Sequence, residues 1–232
     1  MSLARYLPLE WRRQQLLRRT PAGPLHDYLA HPFPDRNQDY RRQTYLAIDL
    51  ETSGLNSRQD HILSIGTVEI KGEVIDLSSA RHVIVSSDQT LSEASVAIHR
   101  LTDDVVAAGE TITTALTDLL QRLAGKVLLA HHAAIEIGFL GSACQNIFAG
   151  ELLAPVVDTL ALAQQQIQRH DKVVGRGALR LAALREQYHL PRYQAHNALS
   201  DALAAAELFL AQAAERCGHQ GNLPLKRLLA KM

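Results

Sequence analysis

The chain has 232 residues, 47% apolar and 21% charged, a composition that suits a globular protein with a sizeable core. Its 24 basic and 24 acidic residues cancel, which argues against a protein that coats long duplexes by bulk charge. No apolar run approaches the roughly 18 residues of a membrane span, Glu10, Arg12 and Arg13 break any signal-peptide core, and Cys144 and Cys217 form neither a disulfide framework nor a thiolate zinc site, so no membrane association and a reducing cytoplasm are expected.

Residues 1–43 stand apart as a Pro/Arg-rich extension, with five of the eight prolines and eight arginines against Glu10, Asp27, Asp35 and Asp39. A short helix is predicted over 7–19, with Trp11, Leu16 and Leu17 on its apolar side. Pro21, Pro24, Pro32 and Pro34 then predict irregular chain. The segment reads either as an arm packed on the domain through Trp11 and Tyr28, or as a basic arm that touches phosphates or a partner.

One domain is expected over 44–216. It begins with a strand from Tyr45 to Thr52, closed by a turn at Gly54. The segments 61–70, 73–77 and 82–86 read as strands of an antiparallel meander. Leucines 116, 119, 120 and 123 mark a helix that stops at Gly125. Residues 127–130 are a short buried strand, and helices are expected near 134–147, 159–169, 178–188 and 198–216. That order implies an α/β fold, a mixed sheet with helices against it. Asn197 caps the last helix and Asp201 lies in its first turn. Residues 217–232 form a tail, short enough to fray or to dock in a partner's groove.

Side chains alternate along a strand, so Asp49 and Glu51 share one face, with Cβ atoms roughly 6.5 Å apart. Two such carboxylates on a core strand repel each other and lose hydration, and a divalent cation would relieve both problems. Glu136 follows the fourth strand, and His196 precedes the helix that carries Asp201. Acids from separated segments suit a hard ion such as Mg²⁺. Two ions can stabilise both oxygens of an in-line phosphoryl displacement, and a histidine suits proton removal from the attacking water.

From Tyr45 to Ala214 the sequence resembles the DEDD exonucleases, in the DEDDh (DnaQ-like) subclass with an H-x-x-x-x-D third motif, as in proofreading subunits of bacterial replicative polymerases. Asp49-Leu-Glu-Thr-Ser-Gly-Leu55 matches the first motif, and Ala195-His-Asn-Ala-Leu-Ser-Asp-Ala202 matches the third. His99-Arg-Leu-Thr-Asp-Asp104 and Val157-Asp-Thr-Leu160 resemble further family segments. Ala130-His-His-Ala-Ala-Ile-Glu-Ile-Gly-Phe-Leu140 occupies the place of the second motif but departs from it. Glu136 stands where the family has Asp, His132 where it has Asn and Ile135 where it has Phe.

The resemblance implies a ribonuclease H-like fold and metal-dependent 3′→5′ hydrolysis of single-stranded or frayed nucleic-acid 3′ ends, DNA favoured, releasing 5′-monophosphates. Asp49, Glu51, Glu136 and Asp201 would hold two Mg²⁺ or Mn²⁺ ions, and His196 would be the general base. Thr52, Ser53, Gly54, Leu55, His99 and Ile135 would meet substrate, and the pattern of basic charge before the third motif adds Arg176. A polymerase or another replication or repair protein is the implied partner. Arg169, Lys172, Arg176, Arg180, Arg185 and Arg192 form a basic run that would guide phosphates or be a solvated helix face. The other readings are an RNA-trimming or oligoribonuclease-type enzyme and a catalytically impaired nuclease-like nucleic-acid-binding module.

Overall fold

A computed structural model describes residues 7–86, 106–169, 175, 177–193, 197–218 and 221–230. Among these, β1 (Thr44–Thr52), β2 (Ile62–Lys71), β3 (Val74–Ile84), β4 (Val127–Ala130) and β5 (Val156–Asp158) form one sheet. Its order is β3-β2-β1-β4-β5. β1 pairs antiparallel with β2 and parallel with β4, and β4 is parallel to β5. The expected mixed sheet is therefore present, with β1 at its centre and, as residues 45–48 show, nearly inaccessible to water.

The meander differs from expectation in one respect. The two short strands predicted over 73–77 and 82–86 are one long strand, β3, interrupted by a register shift opposite Thr67–Glu69. Ser79 explains the continuity. Its hydroxyl accepts a hydrogen bond from the Glu69 amide at 2.8 Å and donates one to the Asp76 carbonyl at 2.6 Å. A side chain thus replaces the ladder bond lost at the shift.

Helices cover both faces. On one face lie α1 (Leu9–Leu17), α2 (Pro24–Ala30), α3 (Ile112–Leu123) and α4 (Ala134–Phe148), which enclose a core built on Leu46, Ile48 and Leu128. On the other, α7 (Ala198–Cys217) crosses the sheet and sets Phe209 against Tyr45, Val68 and Leu129. α5 (Thr159–Arg169) and α6 (Leu181–Gln187) pack beside it.

Residues 24–30 are helical, against expectation, because Pro24 sits at the first helical position, where its missing N–H costs nothing. Leu25, Tyr28 and Leu29 of α2 are buried in the domain core, and the Tyr28 hydroxyl donates to the Leu153 carbonyl at 2.8 Å. Trp11, expected to anchor this segment, is 43% exposed, whereas Arg13 is buried. The Arg13 guanidinium donates to the Leu29 carbonyl and pairs with Glu10, so it pins α1 to α2 with a charged group fully engaged. The C-terminal segment is likewise held. Leu223, Leu225 and Leu228 are buried, Leu229 pairs antiparallel with Val157, and Asp39 bridges Pro224.

Both flanking segments thus share the domain's cores. Leu29→Ala and Leu225→Ala, each at a position with essentially no exposure, should each lower stability by about 2–5 kcal/mol. Urea denaturation should show one cooperative transition shifted by either change; an unshifted midpoint would mean that the segment folds apart from the domain.

Candidate active site

Asp49 and Glu51 lie near the C-terminal end of β1, paired with Gly66 and Ser64 of β2. Asp201 comes from the first turn of α7, where its amide bonds to the Asn197 carbonyl at 2.9 Å. Asn197 caps that helix as expected, its side chain accepting from the Ser200 amide at 3.1 Å. One carboxylate oxygen each of Asp49, Glu51 and Asp201 lies within 4.8 Å of the other two. Residues 150 positions apart thus converge on one point.

Gly66 makes this convergence possible. A Cβ built there would fall inside the backbone of Ala198 and Leu199, at the start of α7. The helix can rest on β2 beside Asp49 only because this strand residue has no side chain. The mid-strand glycine in Ile65-Gly-Thr-Val68 was a readable signal of close approach that sequence reasoning passed over.

Glu136 projects from the first turn of α4 and is 4% exposed, with Oε2 buried and lacking a hydrogen-bond partner among the described residues. It stands outside the three-acid convergence but is the strongest neighbouring charge on Asp49. The turn before it is shaped by His132, whose φ of 69° is left-handed, and by Asp158, which accepts from the His132 and Leu160 amides at 2.9 Å each. Asp158 was recognised in sequence only as part of a family segment; its role in shaping this turn was not. His131 is set by Thr159 Oγ1 at 2.8 Å from its Nδ1, and burial lowers its proton affinity.

Burial and mutual repulsion raise the proton affinity of these acids. Asp49 is lifted well above the usual carboxylate range, first by desolvation and then by Glu136, Asp201 and Glu51. Glu51 is pushed up to about 7 by desolvation and by Asp201. Glu136 is pushed up to about 8, chiefly by burial, with Asp158 adding to it and a backbone hydrogen bond opposing. A convergent set of oxygen donors that resist ionisation in isolation is what a divalent cation would satisfy.

The turn after β1 is tightly made. Thr52 Oγ1 donates to the Gly54 carbonyl at 2.6 Å, and Ser53 Oγ accepts from the His61 amide at 2.9 Å. The Asp60 carboxylate fills the space a side chain at Gly54 would take. Leu55 projects from this turn 86% exposed. Ile135 is half-buried against the core next to Glu136. His99, Arg176 and His196 lie outside the described residues. From the basic run, Arg185 must be removed. It is buried and donates to the Ala204 and Pro191 carbonyls and to Glu207 at 2.6–2.7 Å, locking α6 to α7. Arg192 pairs with Glu186 at 2.6 Å.

A family profile described as Exonuclease (RNase_T) matches residues 46–209. The chain belongs to this exonuclease family. Its motifs place it in the DEDDh, DnaQ-like, 3′→5′ branch. A "DNA polymerase III PolC-type" of Oceanobacillus iheyensis is 29% identical over 184 residues, 78% of this chain. The corresponding protein of Staphylococcus haemolyticus is 26% identical over 175 residues, 75% of this chain. The matched region spans only 12% of either relative. Among solved structures, the nuclease domain of 3′hExo, described as a DEDDh family member bound to rAMP, aligns with a TM-score of 0.62 at 16% identity, over 77% of this chain and 96% of that one. Exonuclease X, in complex with 5′ overhanging duplex DNA, aligns at 0.55 and 21%, over 78% and 97%. These likenesses establish the ribonuclease H-like exonuclease fold.

Two outcomes test the site's construction. Gly66→Ala should push the start of α7 off β2 and weaken Mn²⁺ binding at least about tenfold, read by calorimetric titration, while far-UV circular dichroism stays unchanged; undiminished affinity would contradict the contact. In the metal-free fold, Asp49, Glu51 and Glu136 keep protons that the unfolded chain releases near the ordinary aspartate value of 3.8 and glutamate value of 4.5. The unfolded state therefore binds fewer protons between about pH 5 and about pH 8, and stability falls as pH rises through that window. The metal-free Tm should drop by several degrees over that range, Glu51→Gln/Glu136→Gln should flatten the drop, and Mn²⁺ should stabilise increasingly toward its upper end. A pH-independent Tm in metal-free protein would refute the buried acids.

Proposed function

We propose that this protein removes nucleotides from single-stranded or frayed 3′ ends, with DNA as the favoured substrate, by metal-dependent hydrolysis that releases 5′-monophosphates. The observation that carries this reading is the meeting of Asp49, Glu51 and Asp201 within 4.8 Å, with Glu136 buried alongside. Asp49, Glu51 and Asp201 would hold one Mg²⁺ or Mn²⁺, and Asp49 and Glu136 would face a second. When bound, two such ions supply the positive charge that steadies the attacking and leaving oxygens of an in-line displacement.

The remaining work falls to the chain's own groups. His196, directly before the capped start of α7, is the proposed base that takes a proton from the attacking water. The Leu55 side chain, exposed at the turn after β1, and Ile135, beside Glu136, are proposed to face the terminal nucleotide, with the backbone of Thr52, Ser53 and Gly54 close to it. His99 and Arg176 complete the proposed substrate contacts. Glu136 is one methylene longer than aspartate, and its burial beside Asp49 supports a working acid rather than a lost one. Retention of every acid argues against the impaired binding module. The kinship with polymerase III proteins supports a polymerase or repair partner and a cytoplasmic setting. A second reading, RNA end-trimming, draws support from the fold's likeness to a nuclease described with bound rAMP.

Degradation of 5′-labelled DNA and RNA oligonucleotides with Mg²⁺, Mn²⁺ or chelator tests both. A metal-dependent ladder shortening from the 3′ end is expected, absent in Asp49→Ala and slowed about 10²–10⁴-fold in His196→Ala. The preferred sugar decides between the two readings. Retained strand binding without any ladder would instead identify a module that keeps the fold and lacks the chemistry.

A further inference from the structure

A groove of about 860 Å³ runs along α5. One end opens at Ala134, two residues before Glu136, and at Asp158; the other ends at Arg169. Its far wall is the returning C-terminal segment, which contributes Lys226 and Arg227. From Ala161 to Arg169 the helix extends about 12 Å, longer than a single nucleotide needs.

The lining is chemically one-sided. Arg169, Lys226 and Arg227 are exposed cations, and the salt bridges among the described residues engage other partners. Lys226 Nζ is held at 3.0 Å by the neutral Asn37 Oδ1, which aims its charge without cancelling it. The one carboxylate among the described lining residues, Asp158, already accepts two backbone N–H groups. Gln164 and Gln168, four residues apart on α5, are exposed on one helix face and offer amides that both donate and accept. Among the described residues no aromatic side chain lines the groove, and aromatic anchors are what concentrate binding energy at protein interfaces. Cations and amides set around Leu229 and three alanines, with no aromatic anchor among the described lining residues, match a phosphodiester backbone.

We propose that this groove holds backbone phosphates of the nucleic acid beyond the nucleotide seated at the acids. The inference rests on the exonuclease reading for its substrate and assigns the C-terminal segment a part in strand binding. Arg169→Gln/Arg227→Gln and, separately, Gln168→Glu would be made in the full chain, none of these side chains being buried. Anisotropy with a labelled DNA of about 15 nucleotides, in chelator across a salt series, should show binding weakened about tenfold in the double variant. The slope of log K against log salt should fall by about 1.4, at ~0.7 per single-strand phosphate contact. Gln168→Glu should weaken binding in the same direction. Hydrolysis of a dinucleotide with Mn²⁺ should stay at the wild-type rate.

Unchanged long-strand affinity and salt slope would overturn the proposal and leave the surface to an acidic protein partner. Equal loss on the dinucleotide would also overturn it, since the effect would then pass through the acids. A wild type that binds the long strand through these arginines yet hydrolyses nothing would sink the exonuclease reading and leave the groove standing.

Discussion

The constraint on which this structure turns is the crowding of like charge around Asp49. At an effective dielectric of about 20, two ionised carboxylates separated by roughly 5 Å repel by about 3 kcal/mol, and Asp49 meets Glu51 and Asp201 at such a separation, with the charge of Glu136 adding to theirs. No local preference would bring them together. Two rigid devices do: the register of β1 against β2 fixes Asp49 and Glu51, and the α7 contact at Gly66 fixes Asp201. The opposing stabilisation comes from elsewhere, chiefly the two apolar layers on either face of the sheet. A divalent cation bound among these acids would relieve that repulsion, so protonation state, cation affinity and stability would be tied together here.

Much of this was legible in the sequence. Alternation along the first strand placed Asp49 and Glu51 on one face, and Asn197 fixed the start of the last helix, because period and capping are local rules. Chain order conveyed the mixed sheet. What escaped was non-local. Arg13 and Arg185 read as members of exposed basic runs, yet each is buried and satisfied by carbonyls far along the chain. Trp11 and Arg13 accordingly exchanged their expected places. The helix at Pro24–Ala30 was hidden by counting prolines as breakers without asking which position each occupies. Gly66 and Asp158 act through contacts that only the folded chain reveals.

The buried arginines share a physical logic. Each joins a short helix, α1 or α6, to an element that bears on the site or its supporting core. A seven- or nine-residue helix cannot sustain itself by propensity. A guanidinium with several fixed donors supplies directional attachment that apolar packing of so few residues could not.

The pairing of Leu229 with Val157 has a consequence beyond the domain. β5 is the last strand of the sheet on that side, only three residues long, and the Ala230 amide already occupies the Val156 carbonyl at 2.8 Å. An edge so occupied offers no free ladder to a strand from another molecule. On the opposite edge, β3 is guarded by its register shift and by Arg81, which pairs with Glu110 and Asp118. Among the described residues the sheet is thus blunted at both sides, which disfavours edge-to-edge growth from one molecule to the next.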